Sequence, residues 1–420
     1  MTDPRKTLLE WIERDRDKLI EFYRRFIQAK SPNPPGDTRE AVAHICSFLE
    51  AEKLPYRIIA PQAEMPNVVG TFECAGPGRH LVLNGHIDVF PVGSGEGWTQ
   101  GPWSGALVDG NIYGRGACDM KCGTSASIFT YRYIHRVRDQ LKGRLTLTCV
   151  SDEETMGPWG ARYLMEHHPE VHGDCLLNGE PSSPFSIRFG EKGPLWIEVT
   201  VRTKGAHGAY THVSPSATKI AARLIGDLEA LTELPVSAPD NVVRALDQAA
   251  ETIDRAQGKG AAKIVPKVTV NIGIIRAGLK VNMVPGECIL EVDIRLPVGI
   301  TSDRVLAEVE NILRRYPEAS YRLINHQPPS WCDPFGEMVE IVRQNAKQLG
   351  GYEPEPIVSL GGTDARLWRY LNIPAYVYGP APRNMGAADE YVPVEEFLHI
   401  VRTHALSAYD YLSRTQAPRM

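Results

Sequence analysis

The sequence predicts an α/β chain with a smaller α+β domain inserted into it. Three observations carry that prediction. At 420 residues the chain exceeds what one ordinary core organises. Short apolar runs alternate with helical periods in residues 1–190 and again in 327–420. Between them, residues 191–326 read strand, helix, strand, strand, helix, strand. That order builds a small antiparallel, ferredoxin-like sheet with two helices on one face. The larger domain is therefore discontinuous, a mixed sheet flanked by helices.

Residues 5–29 place Leu8, Leu9, Trp11, Ile12, Leu19, Ile20, Phe22, Tyr23, Phe26 and Ile27 on a helical period. Ser31-Pro-Asn-Pro-Pro-Gly36 ends it, and a second amphipathic helix spans about 38–52. Strands follow near 55–60, 67–73 and 81–88, then a loop-like stretch from Pro91 to Gly110. A small-residue segment from Gly123 to about 137 reads as a buried helix, and Leu145–Val150 as a strand. A helix over 158–168 and a strand over 174–178 complete the first half. In the middle block, Leu195–Val201 alternates as a half-exposed strand, and 238–263 is a polar, helix-prone insertion. After Pro328-Pro329 the α/β texture returns, with a final helix over 394–413.

Composition excludes several functions. An apolar content of 43% with 23% charged residues is that of a soluble globular protein. A net charge of −5 offers no electrostatic footprint for nucleic acid. No apolar run approaches the roughly 20 residues that span a membrane. Met1-Thr-Asp-Pro-Arg-Lys6 lacks the apolar core of a signal peptide, which makes a cytoplasmic location the expectation. The eight cysteines are scattered and read as buried free thiols. Cys118 and Cys122 flank Asp119, but no second pair completes a tetrahedral thiolate set.

Chemistry concentrates after the strands. His86 and Asp88 stand two apart after the run Leu81-Val-Leu83, so in extended chain they project to one face. Such a pair can be a metal-binding imidazole held by a carboxylate, or a structural hydrogen bond. Glu153 and Glu154 follow the strand Leu145–Val150, Glu180 follows 174–178, and Asp119 sits in a turn before a helix. In open α/β sheets ligands bind outside the carboxyl ends of strands, so these groups converge. One histidine among several carboxylates suits Zn²⁺, Mn²⁺ or Co²⁺. Adjacent buried carboxylates repel unless a cation holds one ionised. One glutamate of the pair can then ligate while the other acts as general base on metal-activated water. A solvated acidic loop is the other reading of Asp152-Glu-Glu154.

His86-Ile-Asp88, Gly114-Arg-Gly-Ala-Cys-Asp119-Met-Lys121, Asp152-Glu-Glu154 and Gly179-Glu180-Pro181 resemble the ordered signature of the M20 metallopeptidases. That family includes acetylornithine deacetylase, succinyl-diaminopimelate desuccinylase, aminoacylase and the glutamate carboxypeptidases. The resemblance implies that His86, Asp119 and Glu180 hold one metal, and that Asp119 bridges to a second on Glu154. Glu153 would be the general base, and Asp88 the carboxylate orienting His86. The inserted block would be a lid and dimerisation domain. Its Gly205-Ala-His207-Gly208 would send His207 to the oxyanion in the partner subunit's site. Asn282 and Arg295 would contact substrate, and Gly361-Gly362-Thr363 would bind its carboxylate through backbone N–H groups. His207 as a surface turn residue and Arg295 as a paired strand charge are the alternatives.

One ligand departs from the pattern. The family places a last histidine shortly before an Asn-Glu or Asp-Glu pair. Here Arg383-Asn-Met-Gly-Ala-Ala-Asp-Glu390 puts Gly386 there, or Met385 if the loop is one residue longer. His399 and His404 lie beyond, in the final helix. One or two divalent transition metals (Zn, Mn or Co) per subunit are thus both open. The expected reaction is cleavage of a C–N bond in a small carboxylate-bearing substrate, an N-acyl amino acid or dipeptide, by metal-bound hydroxide. The alternatives are an aminohydrolase of an aromatic amine such as a nitroanthranilate, with Trp98, Trp103, Trp159 and Trp196 as candidate pocket walls, and a non-catalytic binding protein. A homodimer or larger homo-oligomer is expected, with neither nucleic acid nor membrane as partner.

Overall fold

The computed structural model describes residues 3–414, and the chain in it divides into two compact units. Within the described residues, the first comprises 3–189, 332–357 and 363–414, the second 190–331 and 358–362.

The first unit is built on a mixed sheet. At its centre the strand His80–His86 pairs in parallel with Arg144–Val150 on one side and Cys175–Asn178 on the other. Ala375–Val377 extends this parallel set beyond Cys175–Asn178. Asn67–Glu73 and then Arg57–Ile59 add antiparallel strands at the opposite edge. The central strands are buried almost throughout, as continuous apolar runs in a doubly covered sheet require. The helix Cys122–Val137 is buried along nearly its whole length and packs beside them. Its small residues make that possible. Any side chain at Gly123 would collide with the Gly179 carbonyl, and any at Gly85 with Thr124. The helix thereby fixes the strand end from which Glu180 projects.

The second unit is a four-stranded antiparallel sheet in the order Thr269–Ala277, Glu287–Leu296, Gly193–Arg202, Ala319–His326. Leu195, Ile197, Val199 and Val201 alternate into a core shared with the helices Ala217–Leu228 and Ser302–Leu313. The polar stretch after residue 238 forms three short helices, Asp240–Gln248, Ala250–Gln257 and Ala261–Ile264.

Some elements differ from the sequence expectation. The first helical period is two helices, Pro4–Arg14 and Arg16–Gln28, parted at Asp15. The loop-like stretch from Pro91 to Gly110 contains the short strand Ala106–Val108, which pairs with Asn111–Tyr113 just beyond it, and Tyr391–Pro393 joins Asn111–Tyr113 from across the chain. Three-residue strands carry too little periodicity to read, and their pairing is non-local. Ser186–Glu191 is likewise a strand. No described helix is long and apolar enough to cross a membrane.

Candidate metal centre

Three donor atoms meet at the carboxyl ends of the central strands. His86 Nε2 lies 3.2 Å from Asp119 Oδ1 and 3.3 Å from Glu180 Oε1. Among the described residues these form the one group whose donor atoms all lie within 4.8 Å of one another. A polar ladder sets the strand ends: Asn178 donates to Asn84, and Asn84 to Thr148 on the next strand. Asn178 Oδ1 in turn accepts the Glu180 N–H at 2.7 Å.

Asp119 is placed by a turn clamped from three sides. Glu390 Oε1 accepts the N–H groups of Cys118 and Asp119 at 2.8 and 3.1 Å. Its other oxygen accepts from Arg115 at 2.6 Å, and Arg115 also donates to Gly386 O at 2.9 Å. Lys121 donates to the carbonyls of Phe26 and Ala29.

Asp88 acts differently from the sequence expectation. The His86 Nδ1–H reaches the backbone carbonyl of Asp88 at 2.8 Å, while the carboxylate stands 3.6 Å away. That carboxylate instead accepts the N–H groups of Glu153 and Glu154, at 3.3 and 3.1 Å, and the Asn33 amide at 2.9 Å. Asn33 also donates to Asp152. Two N–H donors and an amide are what this buried carboxylate fixes, so Asp88 shapes the Glu153-Glu154 turn as much as the imidazole.

Electrostatics at the centre favour a cation. Burial pushes the Glu180 carboxyl up to about 7 and the Glu153 carboxyl up to about 8, against the pull of His86. Burial and then Asp119 drive Glu154 well above the usual carboxylate range. Burial alone would depress His86, but Glu180, Asp119 and Asp88 reverse this and raise it. Several buried acids crowded on one imidazole are ionised together only around a positive ion. Glu154 Oε1 is buried with no hydrogen-bond partner among the described residues. The donor set therefore fits a divalent metal at His86, Asp119 and Glu180.

Glu153 faces this group, with Oε2 4.0 Å from His86 Nε2 and Oε1 3.6 Å from Arg366 Nη1. Gly386 adopts φ +73°, and nothing lies within 4 Å of where its Cβ would be. His399 and His404 serve elsewhere: His399 pairs with the Tyr378 hydroxyl, and His404 Nε2 donates to the Tyr378 carbonyl. Burial pushes the thiols of Cys118 and Cys122 well above the usual thiol range, and neither sulfur belongs to the group of converging donors. Trp98 lies under the Arg115 guanidinium, 5.3 Å from it.

The remaining candidates lie in the second unit, apart from Thr363, which is buried in the first. His207 is exposed on the short strand Ala206–His207, which pairs with Met283–Val284. Asn282 accepts the Gly208 N–H through its backbone carbonyl. Arg295 is paired bidentately with Asp293, two residues back on its strand, and Asp293 also receives Trp196 Nε1. Gly361 donates its N–H to Ser359 Oγ at 3.2 Å.

The sequence reading did not find Asn33, Glu390 or Arg366. Asn33 lies in a proline-rich turn without period, and Glu390 and Arg366 act from the far end of the chain.

Histidine and carboxylates gathered at the strand ends of this α/β sheet form the donor set of a metal centre. The profile of peptidase family M20/M25/M40 matches residues 82–410, and the chain belongs to that family. Succinyl-diaminopimelate desuccinylase of Gluconacetobacter diazotrophicus is 28% identical over 352 residues, 82% of this chain and 83% of that protein. An M20 family metallo-carboxypeptidase of Sulfolobus solfataricus superposes with a TM-score of 0.77 at 18% identity, covering 97% of this chain and 99% of that one. A Bacillus subtilis M20 protein described as a dinuclear metal binding peptidase gives 0.68 at 18% identity, covering 95% and 99%. These two structures share the fold.

Proposed function

We propose that the protein hydrolyses the amide of a small carboxylate-bearing substrate, an N-acyl amino acid or dipeptide, with Glu153 as general base. The observation that carries this reading is the facing of Glu153 Oε2 onto the His86–Asp119–Glu180 group. Those three side chains would hold one Zn²⁺, Mn²⁺ or Co²⁺. Bound there, the metal would lower the pKa of water toward 7 and polarise the scissile carbonyl. Glu153 takes the proton of the attacking water and delivers it to the leaving amine. Asp88 and Asn33 keep the Glu153-Glu154 turn in register with His86. The bland alternative for Glu154, a solvated surface acid, conflicts with its buried, unpartnered Oε1.

The second unit is proposed as the lid and dimerisation domain, with His207 stabilising the oxyanion in the partner's site. Its edge strand Thr269–Ala277 is unpaired on one side and leads to Leu279 and Val281, which are 91% and 101% exposed. A groove of about 880 Å³ beside them is lined by His207, Arg276, Met283 and Ile289. Such an edge and apolar loop invite pairing with a second copy. Asn282, Arg295, Gly361, Gly362 and Thr363 are proposed to receive the substrate's carboxylate. Eight free cysteines fit a cytoplasmic setting.

A second reading, deamination of an aromatic amine, is favoured by Gly386. The loop carries this exposed glycine where the family pattern has a histidine, and its carbonyl accepts from Arg115, whose guanidinium lies over Trp98.

The test is a metal-loaded enzyme offered N-acyl amino acids, dipeptides and aminobenzoates. Release of amine from the first two, with Glu153→Ala keeping its metal and losing about 10²–10⁴-fold in kcat, supports the main reading. Full activity in Glu153→Ala sinks it. Ammonia from an aminobenzoate alone selects the second.

A further inference from the structure

Arg366 is a buried cation that the proposed mechanism leaves without a task. It lies in the first turn of the helix Ala365–Tyr370 and is 3% exposed. A guanidinium withdrawn from water is retained where anions meet it. Among them are Glu153 Oε1, 3.6 Å from Nη1, and Asp364, on which the same charge acts.

The two oxygens of Glu153 therefore have different surroundings. Oε1 faces Arg366, and Oε2 faces His86 Nε2 at 4.0 Å. The last torsion of a glutamate is broad, so nothing intrinsic to Glu153 selects which oxygen points where. The Arg366 charge, an ion pair 3.6 Å from Oε1, favours the orientation that keeps this oxygen toward it. The backbone supports it from the other side, since the Glu153 N–H is held by Asp88.

We propose that Arg366 is the positioning residue of Glu153, holding Oε1 so that Oε2 is presented to the His86–Asp119–Glu180 group. This places the segment after Gly361-Gly362-Thr363 in the service of the base rather than of a substrate carboxylate. The proposal rests on Glu153 being the base, and its test separates the two ideas.

Arg366→Met and Arg366→Lys are compared with the parent enzyme, loaded with Zn²⁺ and assayed on N-acetyl amino acids. Misplacing a reacting group by about 1 Å costs on the order of 10²-fold. Arg366→Met is expected to lose about that much kcat with KM little changed and zinc content intact. Arg366→Lys is expected to recover about tenfold of the loss, because it restores charge without the fork. A raised KM with kcat retained would overturn the proposal, since Arg366 would then bind substrate. Crystal structures of the zinc-loaded variants give a second, substrate-free readout, and Arg366→Lys serves if Arg366→Met does not fold. The Glu153 carboxylate is expected to rotate away from its parental position, and an unmoved carboxylate overturns the proposal. If the parent hydrolyses none of the amides, the base assignment fails on its own, while the crystallographic comparison still decides the positioning.

Discussion

The two flanks of Asp119 are built differently. On one side His86 and Glu180 rise from adjacent buried strands, braced by the Thr148–Asn84–Asn178 ladder and by a helix packed onto Gly179. On the other, Glu154 ends in a buried oxygen without a hydrogen-bond partner among the described residues, and the loop facing the Asp119 turn carries Gly386. Strand ends and glycine contacts hold the first flank. The second depends on a loop, and loops tolerate change. A coordination set shared between sheet and loop can therefore lose its loop member while the sheet half persists.

The largest effect expected from breaking this asymmetry comes at the strong flank. His86→Ala should weaken metal binding by more than about 100-fold, beyond what loss of an outer partner costs. Elemental analysis after dialysis checks it, and near-normal metal in the variant would mean that the strong flank has been misplaced. Next, Glu154→Gln should leave about one metal per chain, with activity reduced far less than in His86→Ala. A halved metal content would show that both flanks are occupied. Gly386→His sharpens the contrast from the other direction. It should raise the metal content above that of the parent, while the left-handed backbone costs about 1–3 kcal/mol, read as a lower Tm. An unchanged metal content would show that the weak flank lacks more than an imidazole.

The smallest effect concerns the two later histidines. Burial pushes His399 and His404 down to about 4, so both are neutral in the folded chain. In the unfolded chain they titrate near 6.5. The unfolded state therefore binds more protons between these values, and their contribution to stability is present above about pH 6.5 and lost progressively toward pH 4. Denaturant midpoints across that range should fall, less steeply in His404→Gln, and the zinc content of His404→Gln at neutral pH should equal the parent's. A loss of zinc would make His404 a ligand after all.

Much of the strong flank was legible in the sequence because strand ends are legible. An apolar run followed by His86, by Glu153-Glu154 or by Glu180 states both the strand and its terminus. The Gly386 departure was equally readable once the motif order was seen. What escaped was whatever acts across the chain. Asn33 meets Asp88 and Asp152 from a turn without period, and Arg366 meets Glu153 from a late helix. The role of Asp88 was half legible: spacing pairs it with His86, but no spacing rule reveals that its carboxylate gathers the N–H groups of the next strand's turn. Strands such as Ala106–Val108 escaped because three residues show no alternation.

Glu390 carries a consequence for synthesis. The Asp119 turn exposes two amide groups that this one late residue caps. A ribosome makes His86, Asp119, Glu153, Glu154 and Glu180 long before it reaches residue 390. Domains fold as their chains emerge, so a truncated product ending short of this point holds most of the ligands on an uncapped turn. Chains truncated before Glu390 are therefore expected to retain less metal than the full chain, which elemental analysis after purification checks.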